Sequence, residues 1–408
     1  MTQLNLGPIF RSLLRNKTGA FLIALQIAFT MAIVLNALFI IGERSDLMAR
    51  SSGVDEANSF QISSTGFASG FNHLNTMKED LRQIRALPGV INATTINAIP
   101  TSNGGWSMSL QVEPGEDKAS TPTAVYMVDE HGIDTLDVDL VAGSNFLATD
   151  IRLRDGTQEG WPQNIIVTVA LANEMFPELN YAETVGKTIY INNTEPMQII
   201  GVIDQLQAPW INWNKLENAM LSPEHILGDN WSRYFVRAEE GMRDQVMREV
   251  EELLAIRADE RLVENLRSFV EIREESYNRH HAMIQILYMV MVTMIAITGK
   301  GIVGLASFNV NRRLRQIGTR RALGASKTNI VQYFMTENVI ITTLGVVAGV
   351  ALTIGLNMTL VSAFQLGRMP MYFLPLGGLC FYLLGQVAVL GPALKASSIP
   401  PAMATRNV

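Results

Sequence analysis

Four long apolar segments constrain this chain more than any other feature of its sequence. They cover residues 19–42, 282–309, 338–364 and 371–394. Each is long enough to cross a hydrocarbon core of about 30 Å, which takes roughly 20 helical residues. The sequence therefore predicts an α-helical membrane protein with one transmembrane helix near its start and three near its end.

The acidic residues are confined to one part of the chain. Of the 38 Asp and Glu residues, all but Glu337 lie between residues 43 and 281, where they outnumber the basic residues by 18. This segment is predicted to be a large soluble domain. Because no basic face exists outside short segments beside the spans, a nucleic-acid partner is disfavoured, and membrane lipids are the expected partners of those segments.

The basic residues beside the spans predict the orientation of the chain. The segment before the first span contains Arg11, Arg15 and Lys17. The loop between the second and third spans contains six basic residues: Arg312, Arg313, Arg315, Arg320, Arg321 and Lys327. Because basic loops stay on the cytoplasmic side, both termini and this loop should be cytoplasmic. The acidic 43–281 domain should lie outside the cytoplasm.

The segments around the spans complete the expected domain organisation. Residues 1–18 are predicted to form an amphipathic lead-in in the membrane interface. The 19–42 run is longer than the apolar region of a typical signal peptide, so we expect a retained anchor. Residues 310–337 should form a cytoplasmic connecting segment, and 395–408 a cytoplasmic tail.

The 43–281 domain is predicted to have an α+β fold. Runs of strand-forming residues separated by Gly, Pro, Asn and Asp predict six strands, at 90–96, 107–112, 123–128, 164–169, 187–191 and 197–203. From residue 239 to 279 the pattern is helical and highly charged. It fits either a stalk that continues into the second span or a packed face of the soluble domain. The single cysteine, Cys380, lies in the fourth span, so this domain should contain no disulfide.

Enzyme motifs are incomplete. Gly186-Lys187-Thr188 resembles the end of a phosphate-binding loop, but Tyr181 stands where that loop needs a glycine. His280 and His281 are adjacent at the membrane boundary without further candidate ligands. We therefore expect no catalytic residue, metal or cofactor in this chain, and an anchored enzyme or sensor is disfavoured.

Several polar or small residues lie inside the predicted spans. Lys300 is the most unusual, because a lysine at mid-membrane costs about 2.5 to 3.5 kcal/mol on insertion scales. It should contact another helix, extend towards the cytoplasm or take part in transport. Gln26 and Asn36 are expected to hydrogen-bond between helices. Gly345 and Gly349 form a small-xxx-small pair that suits close packing, either within the chain or in a dimer.

The cytoplasmic segment 312–326 is the strongest functional signal. It is predicted to be a short basic helix that is broken by Gly324 and followed by a new helix from Ser326. A basic loop at a lipid surface would have a similar composition. A protein partner is favoured because small residues permit close approach, arginines offer forked hydrogen bonds and Leu323 supplies an apolar anchor.

The stretch from Arg315 to Glu337 closely resembles the FtsX-like permease signature of MacB-type ABC transporters. The matching residues are Gln316-Ile317-Gly318, Arg320-Arg321-Ala322-Leu323-Gly324-Ala325 and Tyr333-Phe334. Residues 136–143, 165–176, 185–189 and 200–203 are similar to the MacB-like periplasmic core domain. The resemblance covers nearly all of the chain.

This resemblance implies a permease subunit of an ABC-type export or mechanotransmission complex in a bacterial inner membrane. The basic segment would be a coupling helix that docks into a cytoplasmic ABC ATPase. Its contact residues would be Ile317, Gly318, Arg320, Arg321, Ala322, Leu323, Gly324, Ala325 and Ser326. No ATPase domain precedes the first span, so the ATPase is expected to be a separate chain.

Further partners follow from the same resemblance. The permease would work as a dimer with a second copy, either identical or a related paralogue, and a membrane-fusion adaptor is a possible partner in efflux or extraction of a substrate. The alternative is an FtsX-like regulatory scaffold whose external domain controls a periplasmic cell-wall hydrolase.

Overall fold

The computed structural model describes residues 17–155, 160–228, 230–256, 260–364 and 367–400. Almost all of the predicted lead-in at 1–18, and residues 401–408 of the predicted tail, lie outside these ranges. The chain divides into two units. A membrane unit combines the segment up to Ala49 with the segment from His280 onward, and an external unit comprises Arg50–Arg279.

The helices of the described residues differ widely in length. In chain order they are α1 Lys17–Ala49, α2 His73–Arg85, α3 Gly132–Leu136, α4 Val169–Met175, α5 Arg243–Ala255, α6 Phe269–Arg312, α7 Leu314–Ala322, α8 Lys327–Phe364 and α9 Phe373–Ser397. Four of them, α1, α6, α8 and α9, are long and apolar enough to cross a membrane. This is the predicted arrangement of one span followed by three.

The strands of the described residues all belong to the external unit. They are β1 Ser59–Gly66, β2 Val90–Thr95, β3 Trp106–Gln111, β4 Ser120–Val128, β5 Leu140–Gly143, β6 Arg152–Arg154, β7 Asn164–Thr168, β8 Thr188–Ile191, β9 Glu195–Ile203, β10 Ala219–Ile226, β11 Trp231–Ala238 and β12 Arg261–Ser268. Each of the six predicted strands is present, and six further strands were not predicted.

A four-stranded antiparallel sheet forms one part of the external unit. Its strand order is β12-β1-β11-β2, with Phe60 of β1 opposite Val236 of β11. Helices α2 and α5 cover one face, where Leu81 and Val250 are buried with strand residues in a common core. Amphipathic helices on one face of a sheet are the expected way to bury its apolar side.

The second sheet has eight strands in the order β4-β3-β8-β9-β7-β10-β6, and β5 pairs with β9. Because β10 also pairs in parallel with β4, six of these strands form a closed circuit. A separate apolar core joins this sheet to the first one, and it includes Tyr126 of β4, Phe235 of β11 and Phe269 at the start of α6. The rings of Phe235 and Phe269 meet edge to face at 6.2 Å.

The prediction of a continuous helical pattern over 239–279 is wrong for residues 261–268, which form a strand. Between α5 and α6 the chain forms the strand β12, which pairs with β1 at the edge of the four-stranded sheet. Its Arg261 is buried and binds Asp80 of α2 at 2.5 Å and the carbonyl of Leu254 at 3.0 Å. These non-local contacts override a local composition that favours a helix.

Span packing in the membrane unit depends on two glycines of α8. A Cβ atom on Gly345 would lie 2.8 Å from the Cβ of Ile27 and 2.9 Å from the carbonyl oxygen of Ala24. A Cβ atom on Gly349 would lie 2.9 Å from the sulfur of Met31. The small-xxx-small pair therefore serves packing within the chain, where it lets α1 and α8 approach closely.

Buried amides join α1 to α8. The Asn36 amide donates to the carbonyl oxygens of Ala32 at 2.9 Å and Thr353 at 3.2 Å, and its oxygen accepts from Asn357 at 3.2 Å. The Asn357 oxygen in turn accepts from the backbone N–H of Met369 at 3.3 Å. Asn36 thus hydrogen-bonds between helices, as a polar group inside a membrane protein should.

Gly345→Ala should destabilise the membrane unit, because its Cβ would collide with backbone and a β-branched side chain of α1. Overpacking of this kind costs about 1 to 3 kcal/mol. The measurement is the thermal unfolding midpoint of the full chain in detergent. Gly355→Ala is the matched control on the same helix, since nothing lies within 4 Å of its added Cβ. Equal midpoints for the two variants would contradict the packing role.

His225 gives the external unit a pH dependence. It is buried in β10, and its Nδ1 lies 2.7 Å from the Thr95 hydroxyl of β2, so it links the two sheets. Burial lowers the pKa of His225 below its ordinary value of 6.5, although Asp129 and Glu130 oppose this. The folded state therefore resists protonation that the unfolded chain accepts, and stability falls as the pH drops below about 6.5.

The thermal unfolding midpoint of the full chain should therefore be lower at pH 5.5 than at pH 7.5. His225 contributes at most about 1.4 kcal/mol per pH unit, since each site takes up one proton. His225→Gln should reduce this pH dependence, because the substituted side chain takes up no proton. An identical pH dependence in the two proteins would refute this role of His225.

Candidate functional site

The short helix α7 lies between two of the membrane-spanning helices. It begins after Arg313 and ends at a Schellman motif in which Gly324 has a φ of +97°. The N–H of Gly324 donates to the Arg321 carbonyl at 3.2 Å, and the N–H of Ala325 donates to the Arg320 carbonyl at 3.0 Å. Glycine suits this position because a left-handed backbone strains other residues.

A serine cap begins the next helix at once. The Ser326 hydroxyl accepts from the N–H of Asn329 at 3.2 Å, which fixes the start of α8. Between the end of α7 and the start of α8, only four residues complete the turn. The predicted break at Gly324 and the predicted restart at Ser326 are both observed.

The two faces of α7 have different environments. Ile317 and Gly318 are buried, and Ile317 belongs to the core of the membrane unit. The opposite face and the turn after it are exposed at Arg320, Ala322, Leu323, Gly324 and Ser326, whereas Arg321 and Ala325 are half-buried. Ile317 and Gly318 therefore attach α7 to its own chain, and the outer residues form a separate surface.

Leu323 dominates the outer surface. Its side chain is 83% exposed, more than any other large apolar side chain of the described residues. It follows directly on the last residue of α7 and lies three positions after the exposed Arg320. A lone exposed leucine needs no explanation. Here the leucine follows two arginines, a residue type that is enriched in protein-binding sites, so the group is a candidate contact surface.

A buried ion pair attaches this surface to the spans. The Arg313 guanidinium, just before α7, donates to both carboxylate oxygens of Glu337 in α8, at 2.8 and 3.1 Å. The Arg313 and Glu337 side chains are only 14% and 6% exposed. Forked pairs of this geometry are among the strong charge-assisted hydrogen bonds. They hold the start of α7 against α8.

An aromatic contact holds the end of α7. The Arg320 guanidinium lies 4.6 Å from the centre of the Tyr333 ring of α8, a cation–π geometry. The Tyr333 hydroxyl also lies 3.5 Å from Arg313. Arg321 donates to the Ala325 carbonyl at 2.9 Å and so stabilises the turn. We refer to Arg313, Glu337, Tyr333 and Arg320 as the clamp.

Sequence reasoning did not assign the clamp. Arg313 was one of six basic residues in the loop, and Glu337 belonged to the family signature without a role of its own. One signal points to it, because Glu337 is the only acidic residue outside 43–281. An isolated carboxylate beside a span requires a partner, and the basic loop that precedes it in the chain is the natural source.

The other sequence candidates lie elsewhere. Lys300 is exposed on α6 and makes no hydrogen bond or ion pair with any residue that the structure describes. Gly186-Lys187-Thr188 leads into the strand β8 instead of a helix. Within the described ranges, no group of three or more His, Cys, Asp or Glu side chains is placed to hold a metal.

Comparison with known protein families agrees with this architecture. Residues 20–253 match the MacB-like periplasmic core domain, and residues 288–401 match the FtsX-like permease C-terminal family. The first match alone covers more than half of the chain. The chain belongs to the MacB-like and FtsX-like ABC permease family. It is thus a membrane protein with four apolar helices and an extracytoplasmic domain of mixed α and β structure.

Individual relatives of this MacB-like permease are distant. It is 26% identical to the macrolide export ATP-binding/permease protein MacB of Chlorobium phaeobacteroides, over 98% of this chain and 60% of that protein. It is 25% identical to MacB of Salmonella typhi over 52% of this chain. The aligned region covers 34% of the Salmonella protein, so the chain spans about a third of the length of that relative.

Two solved structures are distantly similar to part of this MacB-like permease. The extracellular domain of the ABC-type transporter YknZ from Gram-positive bacteria is 16% identical and covers 50% of this chain and all of that one, with a TM-score of 0.31. The periplasmic region of MacB from Actinobacillus actinomycetemcomitans is 15% identical and covers 57% of this chain and 98% of that one, with a TM-score of 0.34.

Glu337→Gln should loosen α7, because it leaves the Arg313 charge without its counter-ion in a mostly buried position. Losing one partner of such a pair costs about 3 to 5 kcal/mol. The measurement is amide hydrogen exchange of residues 314–322 in the full chain, which should become faster. Lys327→Gln, at an exposed lysine, is the control that also alters one charge. Unchanged exchange in Glu337→Gln would contradict the clamp.

Proposed function

We propose that this chain is the permease subunit of an ABC-type export or mechanotransmission complex in a bacterial inner membrane. An ABC ATPase on a separate polypeptide would bind α7 from the cytoplasm. The observation that carries the proposal is the outer surface of α7, where the exposed Leu323 and Arg320 lie on a helix clamped to the spans.

The docking surface is narrower than the sequence suggests. Ile317 and Gly318 are buried within the chain, so they position the helix instead of contacting the ATPase. The contact residues are Arg320, Arg321, Ala322, Leu323, Gly324, Ala325 and Ser326. Leu323 supplies the apolar anchor, the arginines supply forked hydrogen bonds, and the small residues let a groove close around the turn.

The clamp provides a route for movement. Displacement of α7 by the ATPase would act on α8 through the Arg313–Glu337 pair and on α6 through the direct connection at Arg312–Arg313. Helix α6 continues without interruption to Phe269, which belongs to the shared core of the external unit. Force applied at the cytoplasmic end would reach the external domain along one continuous helix.

The external domain would then act on the transported substrate or on partner proteins, in pairing with a second permease subunit. A membrane-fusion adaptor is the proposed additional partner on the external side, and lipids contact the basic segments. The chain itself performs no chemistry in this proposal, since ATP hydrolysis belongs to the partner. Its task is to convert the ATPase cycle into movement and thereby into efflux or extraction.

A second candidate is a regulatory scaffold that controls a periplasmic cell-wall hydrolase. The match of residues 288–401 to the FtsX-like permease C-terminal family is equally compatible with this candidate, because α7 and the clamp lie in that part of the chain. Both candidates need the same ATPase contact and differ in what the external domain moves. Export measured in whole cells, compared with hydrolase activity at the cell wall, distinguishes the two.

Arg320→Glu combined with Leu323→Ala should abolish stable association with the ATPase. The lost anchor and reversed charge correspond to a binding hot spot of about 2 kcal/mol or more, which is at least about a thirtyfold loss of affinity. The measurement is co-purification of the full chain with the ATPase from native membranes. Ile256→Ala is the matched control, because Ile256 is 77% exposed but belongs to the external unit. Retention of the ATPase by the double variant would refute the docking proposal.

A further inference from the structure

Helix α6 is the least covered of the four apolar helices. Only 11% of its most apolar window is buried in the chain, compared with 61% for α1. Its contacts with α1 include the hydrogen bond between the Thr298 and Thr30 hydroxyls at 2.8 Å and the close approach of Gly301 to the Gln26 side chain. Most of its surface is therefore free to meet lipid or another protein.

One strip of this free surface has an unusual composition. Thr293, Ala296, Lys300 and Gly304 are exposed and Ser307 is half-buried. At about 100° per residue these five positions fall within an arc of roughly 80° on one side of α6. Thr298 and Ile302, which are buried in the chain, lie on the opposite side. We call these five residues the span-2 strip.

The span-2 strip differs from the surface that another span presents. The exposed large side chains of α9 include Leu376, Leu379, Leu383, Val387, Leu390 and Leu394, a composition suited to lipid chains. The span-2 strip instead offers small or polar side chains, and a Cβ atom on Gly304 would meet nothing within 4 Å. Small residues in a membrane let a second helix approach closely, and hydroxyl groups hydrogen-bond across such contacts.

Lys300 determines what that second helix must contain. It lies 12 residues before the end of α6 at Arg312, which is about 18 Å along the helix at 1.5 Å per residue. No ion pair or hydrogen bond joins it to any residue in the described parts of the chain. A charged group at this depth of a membrane normally pairs with another polar group. The expected partner is a carboxylate at the same depth.

A second copy of this chain cannot supply that carboxylate. Of its 38 acidic residues only Glu337 lies outside 43–281, and Glu337 already binds Arg313. In a symmetric pair with its axis along the membrane normal, equivalent residues lie at equal depth. The two Lys300 ammonium groups would therefore face each other, and like charges close together in a medium of low dielectric repel.

We propose that the span-2 strip binds a transmembrane helix of a different membrane subunit, which places an Asp or Glu carboxylate opposite Lys300. The proposal rests on the proposed function in one respect, the pairing of two permease subunits, and it makes that pair a heterodimer. Lys300 then selects the partner, and the small residues of the strip provide the close contact.

Disulfide crosslinking between differently tagged copies of the full chain tests the charge requirement. Cys380, the single cysteine, is first replaced by serine, and Ala296→Cys is introduced on the span-2 strip. Two copies that both contain Lys300 should not crosslink above the level of a control with Val387→Cys on α9. A copy with Lys300 and a copy with Lys300→Glu should crosslink at least tenfold more, because the second copy now supplies the carboxylate.

Two outcomes overturn the proposal. Equal crosslinking of the Lys300 pair and the mixed pair would mean that identical copies meet at this face. No crosslinking of the mixed pair, with both copies present in the membrane, would mean that the span-2 strip faces lipid.

Native membranes provide a second measurement that does not depend on Lys300→Glu. A photo-crosslinking residue at position 296 should form an adduct with a different membrane polypeptide whose apolar segment contains Asp or Glu. Lys300→Arg should retain the adduct and Lys300→Met should reduce it at least tenfold. An adduct with this same chain, or with a polypeptide that has no acidic residue in its spans, would refute the proposal.

The ATPase contact is monitored in the same membranes. The adduct at position 296 should persist in the Arg320→Glu and Leu323→Ala double variant, since neither substituted residue belongs to the strip. Loss of the adduct with the ATPase still bound counts against the heterodimer alone. A bound ATPase in the double variant, with the adduct unchanged, counts against the docking site alone.

Discussion

The cost of an unpaired charge in a membrane organises this molecule. The chain keeps 37 of its 38 acidic residues in the segment 43–281, so its spans are almost free of carboxylates. Two charged residues nevertheless lie in or beside the spans. Glu337 is at the start of one span, and Lys300 is inside another. Glu337 is satisfied within the chain by Arg313, whereas Lys300 is not satisfied by any described residue. The first charge holds α7 against α8, and the second lies on the face where we propose a partner helix.

Close packing explains why the same spans differ so much in exposure. Helix α1 is covered because Gly345 and Gly349 let α8 approach it and because Asn36 shares hydrogen bonds with Thr353 and Asn357. Helix α6 contacts α1 at Thr298 and Gly301 and contributes Met291, Ile302 and Val310 to the common core of the spans, yet only 11% of its most apolar window is buried. The bundle therefore combines one well-covered helix with one that is largely uncovered. This limited coverage is compatible with the movement of α6 that we propose.

The sequence was sufficient for features that depend on local composition. Apolar length predicted the four spans, and six strands followed from runs of β-branched residues between turn residues. Strand β10 escaped prediction because Pro223 and Glu224 interrupt its apolar pattern, although Glu224 is buried against Arg154. Strand β12 was not predicted because its many charged residues are typical of a helix. Its strand structure depends on pairing with β1, which is distant in the sequence. The break at Gly324 was predictable, but the burial of Ile317 and Gly318 was not, because it depends on contacts with distant spans.

The outer surface of α7 and the span-2 strip require different properties of the two permeases in a pair. In the proposed complex, a symmetric pair of ATPase subunits would present the same groove twice, so both permeases would need a docking helix of similar shape. The span-2 strip has the opposite requirement, because a lysine on both sides would repel and a carboxylate on one side would attract. A shared docking helix and dissimilar second spans would therefore allow one type of ATPase to drive two permeases that still recognise each other specifically. The clamp joins the two surfaces structurally. Its Arg313 follows directly on α6, which is the helix that contains Lys300.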